Sequence, residues 1–440
     1  MYSRPLIRSV LVLFSVLLVT TSSRLPADPV LDWNQIACEA IRADPHHAAP
    51  TYSTRDFAMV HVAILDAFVA IRPFCRPYAA HVDAEPGASV DAAMAQAAWT
   101  VLVALFPAQA AELNAALADA LAAIPAGPAR DAGVTVGNAV AQQILDLRSQ
   151  DGAENLVDYE PGTDPGDWRP TFPNFAPALG PHWGNVTPFV LESAPEFRPP
   201  PPPPLDSPQY AADFELLKSI GVESASSRTD EQTEIGIFWA YDRFGMGPPT
   251  ILYNRFLVDL VLELGNTVEQ NARLFALANL AMADAGIVTW EAKYYYNFWR
   301  PITAIREGAN DGNPATDGDP DWVPLGAPGG DGPSFTPPFP SYPSGHAAFG
   351  AALYQALANF YVTDAMSFSA TSEEMPGVVR NYDSFRAAAD ENGISRIYLG
   401  VHWTFDNTEA ANLGRNVADY VFAHAGLEEN AVDRSWTHYH

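Results

Sequence analysis

Apolar residues recur at helical rather than strand spacing along almost the whole chain. Residues 56–71, DFAMVHVAILDAFVAI, are apolar around most of a helical wheel, the pattern of a helix buried within a bundle. Residues 90–121 are rich in Ala and Leu and predict a helix broken at Pro107. Residues 130–148 place Val136, Val140, Ile144 and Leu147 at helical spacing. Helical patterns resume at 210–221, 230–244, 253–265 and 269–298. Another helix should start at Pro343-Ser344-Gly345, and the last should run from His402 to Ala425. Strand-like alternation is nearly absent. The fold class expected is all-α: two packed helix bundles with long irregular loops.

The segments between helices divide the chain. Residues 1–23 read as a signal peptide, with Arg4 and Arg8 before a short apolar run at 11–19 and small polar residues after it. That run is too short to span a bilayer comfortably, and no later stretch is apolar enough to do so. The expected location is therefore secreted or periplasmic. Residues 28–150 form an N-terminal helical half and 208–440 a C-terminal one. Between them, 151–207 is an irregular connector containing an unbroken run, Pro199 to Pro204, which favours a stiff polyproline rod acting as a spacer. The loop 308–343 is rich in Gly, Pro and Asp, and loops this long in compact proteins are usually rims or lids. Its Asp317-Gly-Asp319-Pro-Asp321 imitates a calcium loop. However, Trp322 stands where that loop needs Gly and Pro328 where it needs Glu, so a solvated loop is expected.

Charge narrows the function. Lys and Arg number 24 against 52 Asp and Glu, a formal charge of −28 that disfavours nucleic acid and anionic membranes. Cationic residues gathered in one place would then stand out. Cys38 and Cys75 lack a CxxC context, and either pairing or free buried thiols would suit them. His46-His47 and His438-Tyr-His440 have no partners at metal-ligand spacing and read as exposed.

Three fragments do gather cations. Lys293 and Arg300 are seven residues apart, which on one helix gives a shared face ending at Pro301. Tyr294, Tyr295, Tyr296, Phe298 and Trp299 between them imply burial, and buried cations demand an anion. Ser344-Gly345-His346 falls where a loop enters a helix, whose free N–H groups and dipole suit an oxyanion. Ser344 could donate its hydroxyl there or only cap the helix, and His346 could exchange a proton. Arg396 and His402 are six apart, so both reach one site only if the helix breaks near Gly400. His402 and Asp406 are one turn apart, letting the carboxylate orient the imidazole. No H-E-x-x-H, G-x-S-x-G or phosphate P-loop occurs. The inventory describes a pocket for a tetrahedral oxyanion.

These motifs and their order resemble the superfamily shared by vanadium haloperoxidases and type 2 phosphatidic acid phosphatases, most closely the vanadium chloroperoxidase type. Phe238-Trp-Ala-Tyr-Asp242, Asn271-ARLFAL-Ala278 and Ala285-Gly286 extend the likeness over residues 235–415. The resemblance implies a vanadate cofactor with Lys293, Arg300 and Arg396 on its equatorial oxygens, helped by Ser344 and the Gly345 amide. It implies His346 as the acid–base group and His402 as the residue bonding vanadium, with Asp242 pairing Arg396 and Asp406 orienting His402. Trp290 and Phe339 match aromatic halide-pocket positions of the chloroperoxidase type. The implied reaction joins hydrogen peroxide and a halide ion to give hypohalous acid, which then meets small organic acceptors, and chloride as well as bromide is expected to react. An acid phosphatase with His402 as nucleophile and His346 as proton donor would use the same cradle. A non-catalytic oxyanion-binding protein would explain the cations but not the two histidines.

Overall fold

The structure, a computed structural model, describes residues 28–241, 245–329 and 333–428. The N-terminal half carries α1 (Pro29–Ala43), α2 (Pro50–Ile71), α3 (Val90–Leu105), α4 (Ala110–Ala122) and α5 (Pro128–Arg148). The C-terminal half carries α6 (Pro208–Ile220), α7 (Asp230–Phe238), α8 (Pro249–Leu264), α9 (Val268–Tyr296) and α10 (Pro301–Glu307). It closes with α11 (Gly345–Tyr361), α12 (Phe385–Tyr398) and α13 (Thr404–His424). An antiparallel hairpin, β1 (Phe368–Thr371) with β2 (Val379–Tyr382), is the one sheet among the described residues and was not foreseen from the pattern. Its exposed positions alternate over only four residues per strand, too short a run to signal itself.

Two helices build the body. α2 is buried over nearly its full length, and it packs against α3 and α5 on one side and α9 on the other. α9 starts from a capping box, with Thr267 accepting from the Gln270 amide and the Gln270 side chain accepting from Thr267 N–H. It then runs through the core against α2, α11 and α13, so the two halves share one hydrophobic cluster. By length and composition α9 could cross a membrane, contrary to the sequence expectation; its apolar window is almost wholly enclosed by other helices. Gly414 lets α13 close on α11, since a Cβ there would lie 2.3 Å from the Ala348 carbonyl oxygen.

The connector is pinned as well as stiff. Asp284 of α9 accepts the amides of Phe189 (2.6 Å), Val190 (2.8 Å) and Leu191 (2.9 Å). Tyr296 donates to the Pro199 carbonyl at 2.7 Å and Tyr342 to that of Pro200, tying the proline run to the second half. Asp284→Ala would leave three largely buried amides without acceptors, each costing about 1–3 kcal/mol. An unfolding free energy lower by at least about 3 kcal/mol is the expected result, read from urea unfolding.

Several boundaries differ from the sequence expectation. α2 begins at Pro50 rather than 56, because a proline is well suited to the first helical position. α7 ends at Phe238 rather than 244, as the chain turns and Tyr241 takes a positive φ of 40°. His47 is not exposed with His46: its Nδ1 lies 2.7 Å from Asp56 Oδ2, and the ion pair draws it inward. Cys38 and Cys75 are buried, and no disulfide joins them. The expected signal peptide, Asp242 and the terminal His438 and His440 lie outside the described residues.

Candidate active site

The first cationic motif does not lie on a single helix. α9 stops because Asn297 adopts the left-handed conformation (φ 51°), and its amide closes back on the Lys293 carbonyl. Arg300 is the N-cap of α10, and Pro301 opens that helix instead of ending α9. The turn nevertheless brings both cations inward, each with no solvent exposure. Lys293 Nζ donates to the carbonyls of Pro340 (2.8 Å), Ser341 (3.0 Å) and Pro343 (2.5 Å). An ammonium has three protons, so it clamps this loop directly and acts elsewhere in the site through its charge. Burial, together with Arg300 and Arg396, holds its pKa well below the ordinary lysine value.

Arg300 reaches the other side of the pocket. Its Nε donates to the Phe339 carbonyl at 2.8 Å, and Nη1 donates to the Val401 carbonyl at 2.8 Å. Nη1 also lies 3.0 Å from His402 Nε2. A guanidinium only donates, so Nε2 is the accepting nitrogen and the proton sits on Nδ1. Nδ1 in turn donates to Asp406 Oδ2 at 2.8 Å. His402 is therefore a neutral imidazole with its basic nitrogen on the cationic side. Burial and the charges of Arg300, Lys293 and Arg396 push its pKa well below the usual histidine range.

His402 stands before α13, not on it as expected, because the helix begins at Thr404. Asp406 lies in the first turn and accepts the Trp403 amide at 3.2 Å, so one carboxylate both caps the helix and orients the histidine. The expected break is at Gly400, where φ is +73° and a Cβ would lie 2.5 Å from the Gly221 carbonyl oxygen. It turns the chain between Arg396, in the last turn of α12, and His402. Arg396 is buried, and its Nη1 donates to the Ala240 carbonyl at 3.4 Å.

The second motif folds as expected, with Ser344 the N-cap of α11. Its hydroxyl accepts the Ala347 amide at 3.5 Å, a weak cap, and its own amide donates to the Asp406 carbonyl at 3.1 Å. Gly345 opens the helix, where the first amides have no intrahelical partner. His346 Nε2 lies 2.9 Å from the Trp239 carbonyl, which can only accept, leaving Nδ1 as its basic nitrogen. Burial and Arg396 hold His346 neutral, well below the ordinary histidine pKa.

One pocket is lined by Trp290, Phe339, Gly345, His346, Arg396 and His402. Trp290 and Phe339 pack with ring centroids 4.9 Å apart, and Phe339 lies 4.9 Å from Lys293 Nζ and 4.8 Å from the Arg300 guanidinium carbon. Pro337 and Phe349 also line it, as do Pro50 and Pro249, the first residues of α2 and α8. Neither Pro50 nor Pro249 was a candidate from sequence, because each is far from the motifs and carries no reactive group. Ser341 was also missed; its hydroxyl donates to Asp406 Oδ2.

The donor set can be tested for the group it suits. The three buried cationic side chains repel any added cation and, with burial, depress the proton affinity of both histidines. Only an anion relieves that repulsion. The amide of Gly345 and the hydroxyl of Ser344 add neutral donors, and His402 Nε2 adds a lone pair. A tetrahedral oxyanion with a Lewis-acidic centre, vanadate above all, fits these residues.

Comparison with known proteins agrees with this chemistry. Residues 273–428 match the family described as the VCPO second helical-bundle domain. Vanadium chloroperoxidase of Curvularia inaequalis is 29% identical over 492 aligned positions, covering 87% of this chain and 80% of the relative. A bacterial vanadium-dependent iodoperoxidase superposes with a TM-score of 0.79 at 23% identity, covering 93% of this chain and all (100%) of that one. The holo form of a bacterial vanadium-dependent chloroperoxidase gives 0.68 at 16% identity over 90% of this chain and 97% of that one. In its all-α fold and in its motifs the chain is similar to vanadium haloperoxidases. By sequence, the chain is a homologue of vanadium chloroperoxidase.

Proposed function

We propose that this pocket holds vanadate and that the chain oxidises halide ions with hydrogen peroxide to hypohalous acid. The observation that carries the reading is the Arg300 guanidinium 3.0 Å from the accepting Nε2 of His402, with the charges of Lys293 and Arg396 also lowering that imidazole's pKa. Bound vanadate would supply the Lewis acidity that activates peroxide. The protein's own residues do the rest. Arg300 and Arg396 hold the anion by charge-assisted bonds, while Lys293 contributes charge and fixes the loop that carries Ser344 and Gly345. Asp406 keeps the proton of His402 on Nδ1, so Nε2 is left unprotonated and would bond the central atom in place of its contact with Arg300. His346 accepts or returns a proton at Nδ1, and its neutrality suits that role in mildly acidic solution. Asp242 is assigned as the partner of Arg396.

The pocket wall on the Trp290–Phe339 side is aromatic and close to two cations, which suits a weakly hydrated halide. We assign it as the halide pocket. An apolar wall withholds hydrogen bonds from the oxidising oxygen, so chloride should react as well as bromide. Phe339→His should lower the chloride-to-bromide turnover ratio by placing a donor there. Bromide turnover without detectable chloride turnover at about pH 5 would exclude the chloride assignment.

Peroxide-dependent chlorination and bromination of monochlorodimedone, with and without vanadate, tests the activity. Hydrolysis of p-nitrophenyl phosphate in the same preparation tests the competing phosphatase use of His402. Halogenation that requires vanadate supports the reading; phosphate hydrolysis alone overturns it. The expected leader at 1–23 assigns the enzyme to a secreted or periplasmic setting, where halide, peroxide and small organic acceptors would meet it without an integral membrane anchor.

A further inference from the structure

We propose that Ser341 is a positioning residue of this site, its hydroxyl setting the Asp406 carboxylate that fixes the tautomer and angle of His402. The inference rests on the reading that His402 Nε2 meets the oxyanion. Ser341 has no solvent exposure, and all of its polar atoms are engaged. Its amide donates to the Phe298 carbonyl at 2.8 Å, and its carbonyl accepts from Lys293 Nζ at 3.0 Å. The backbone is thus held on both sides before the hydroxyl reaches Asp406 Oδ2.

Three donors converge on that oxygen: Ser341 Oγ, His402 Nδ1 at 2.8 Å and the Trp403 amide at 3.2 Å. The other carboxylate oxygen, Oδ1, is buried and accepts no bond. His402 and Trp403 belong to the same short segment as Asp406, so they move with it. Ser341 alone among the three comes from a different part of the chain. Its bond therefore registers the His402 segment against the loop clamped by Lys293. Without it, the carboxylate can turn about its Cβ–Cγ bond and present Oδ1 or Oδ2 to the imidazole. The histidine then loses its single orientation, and Ser341 Oγ, 3.5 Å from His402 Nδ1, no longer fills the space beside the ring.

Ser341→Ala removes one oxygen and adds no atom, so the chain should fold. Two measurements read the effect: histidine 15N spectra of the ligand-free protein, and vanadate affinity by equilibrium dialysis. Wild type should give one His402 species protonated on Nδ1. Ser341→Ala should give mixed or exchange-broadened nitrogen signals and about tenfold weaker vanadate binding, and Ser341→Thr should restore both towards wild type. Thr316→Ala is the control, since it removes another buried hydroxyl–carboxylate bond (Thr316 Oγ1 to Asp311 Oδ2, 2.7 Å) outside the pocket. Unchanged His402 signals and affinity in Ser341→Ala would overturn the inference, as would an equal effect from Thr316→Ala. Wild type that binds no vanadate would defeat the functional reading, while the nitrogen spectra would still decide the role of Ser341.

Discussion

Replacing His402 by alanine should reduce vanadate-dependent halide oxidation to background. His402 Nε2 accepts beside Arg300, with the histidine's proton fixed on Nδ1 by Asp406. Without it the cations can still attract an oxyanion, but nothing bonds its central atom. The chloride and bromide rates should fall by at least about 10²–10³, the range seen when one preorganised stabilising group is lost. The fold should survive, because Asp406 keeps the Ser341 hydroxyl and the Trp403 amide. Monochlorodimedone turnover at saturating vanadate, beside the thermal midpoint, measures both. Near-native turnover in the variant would mean that His402 is not the ligand.

Arg300→Met should act on affinity and on its pH dependence together. Arg300 is buried and contacts His402 directly, so its loss removes a charge-assisted bond contributing roughly 1.5–3 kcal/mol, or about tenfold to a hundredfold in vanadate affinity. The second effect follows from charge. In wild type, burial and then Arg300 lower the His402 pKa, so protons do not compete for Nε2 as the solution is acidified. Removing Arg300 raises that pKa towards its ordinary value. Protonation then consumes the ligand nitrogen, and the affinity gap between variant and wild type should widen as pH falls from about 7 to about 5. Equilibrium dialysis across that interval gives the test. A gap that is constant or narrows towards acid would contradict the electrostatic account of His402.

The sequence carried the chemistry further than the geometry. Buried cations beside aromatics, a Ser-Gly-His helix start and a His–Asp pair one turn apart are local patterns, and each lies at the pocket. Where expectation failed, a backbone event intervened. Lys293 and Arg300 were expected on one helix face, yet Asn297 ends the helix and Pro301 starts the next. Seven-residue spacing cannot reveal a left-handed residue between two motifs. Likewise His402 and Asp406 meet across a helix start, where i and i+4 are close even though only one of them is helical. Ser341, Pro50 and Pro249 were invisible for a different reason. Their roles arise from segments distant in sequence that only the folded chain brings together. The long helix α9 was expected to be too polar to span a membrane; its composition would admit one, and its enclosure by other helices accounts for that apolarity.

The placement of the sulfur atoms bears on the proposed release of hypohalous acid. Thiolates and thioethers are the side chains such oxidants attack first. The chain has only 2 cysteines and 7 methionines among 440 residues. Cys38 and Cys75 are 2% and 3% exposed, and burial pushes the Cys38 thiol up to about 12, which keeps it protonated and poorly nucleophilic. Met59, Met94 and Met282 are sealed in the core. An oxidant formed at the pocket would find Cys38, Cys75, Met59, Met94 and Met282 shielded, so their oxidation would be gated by transient opening of the folded chain, whereas Met246, Met366 and Met375 are partly exposed.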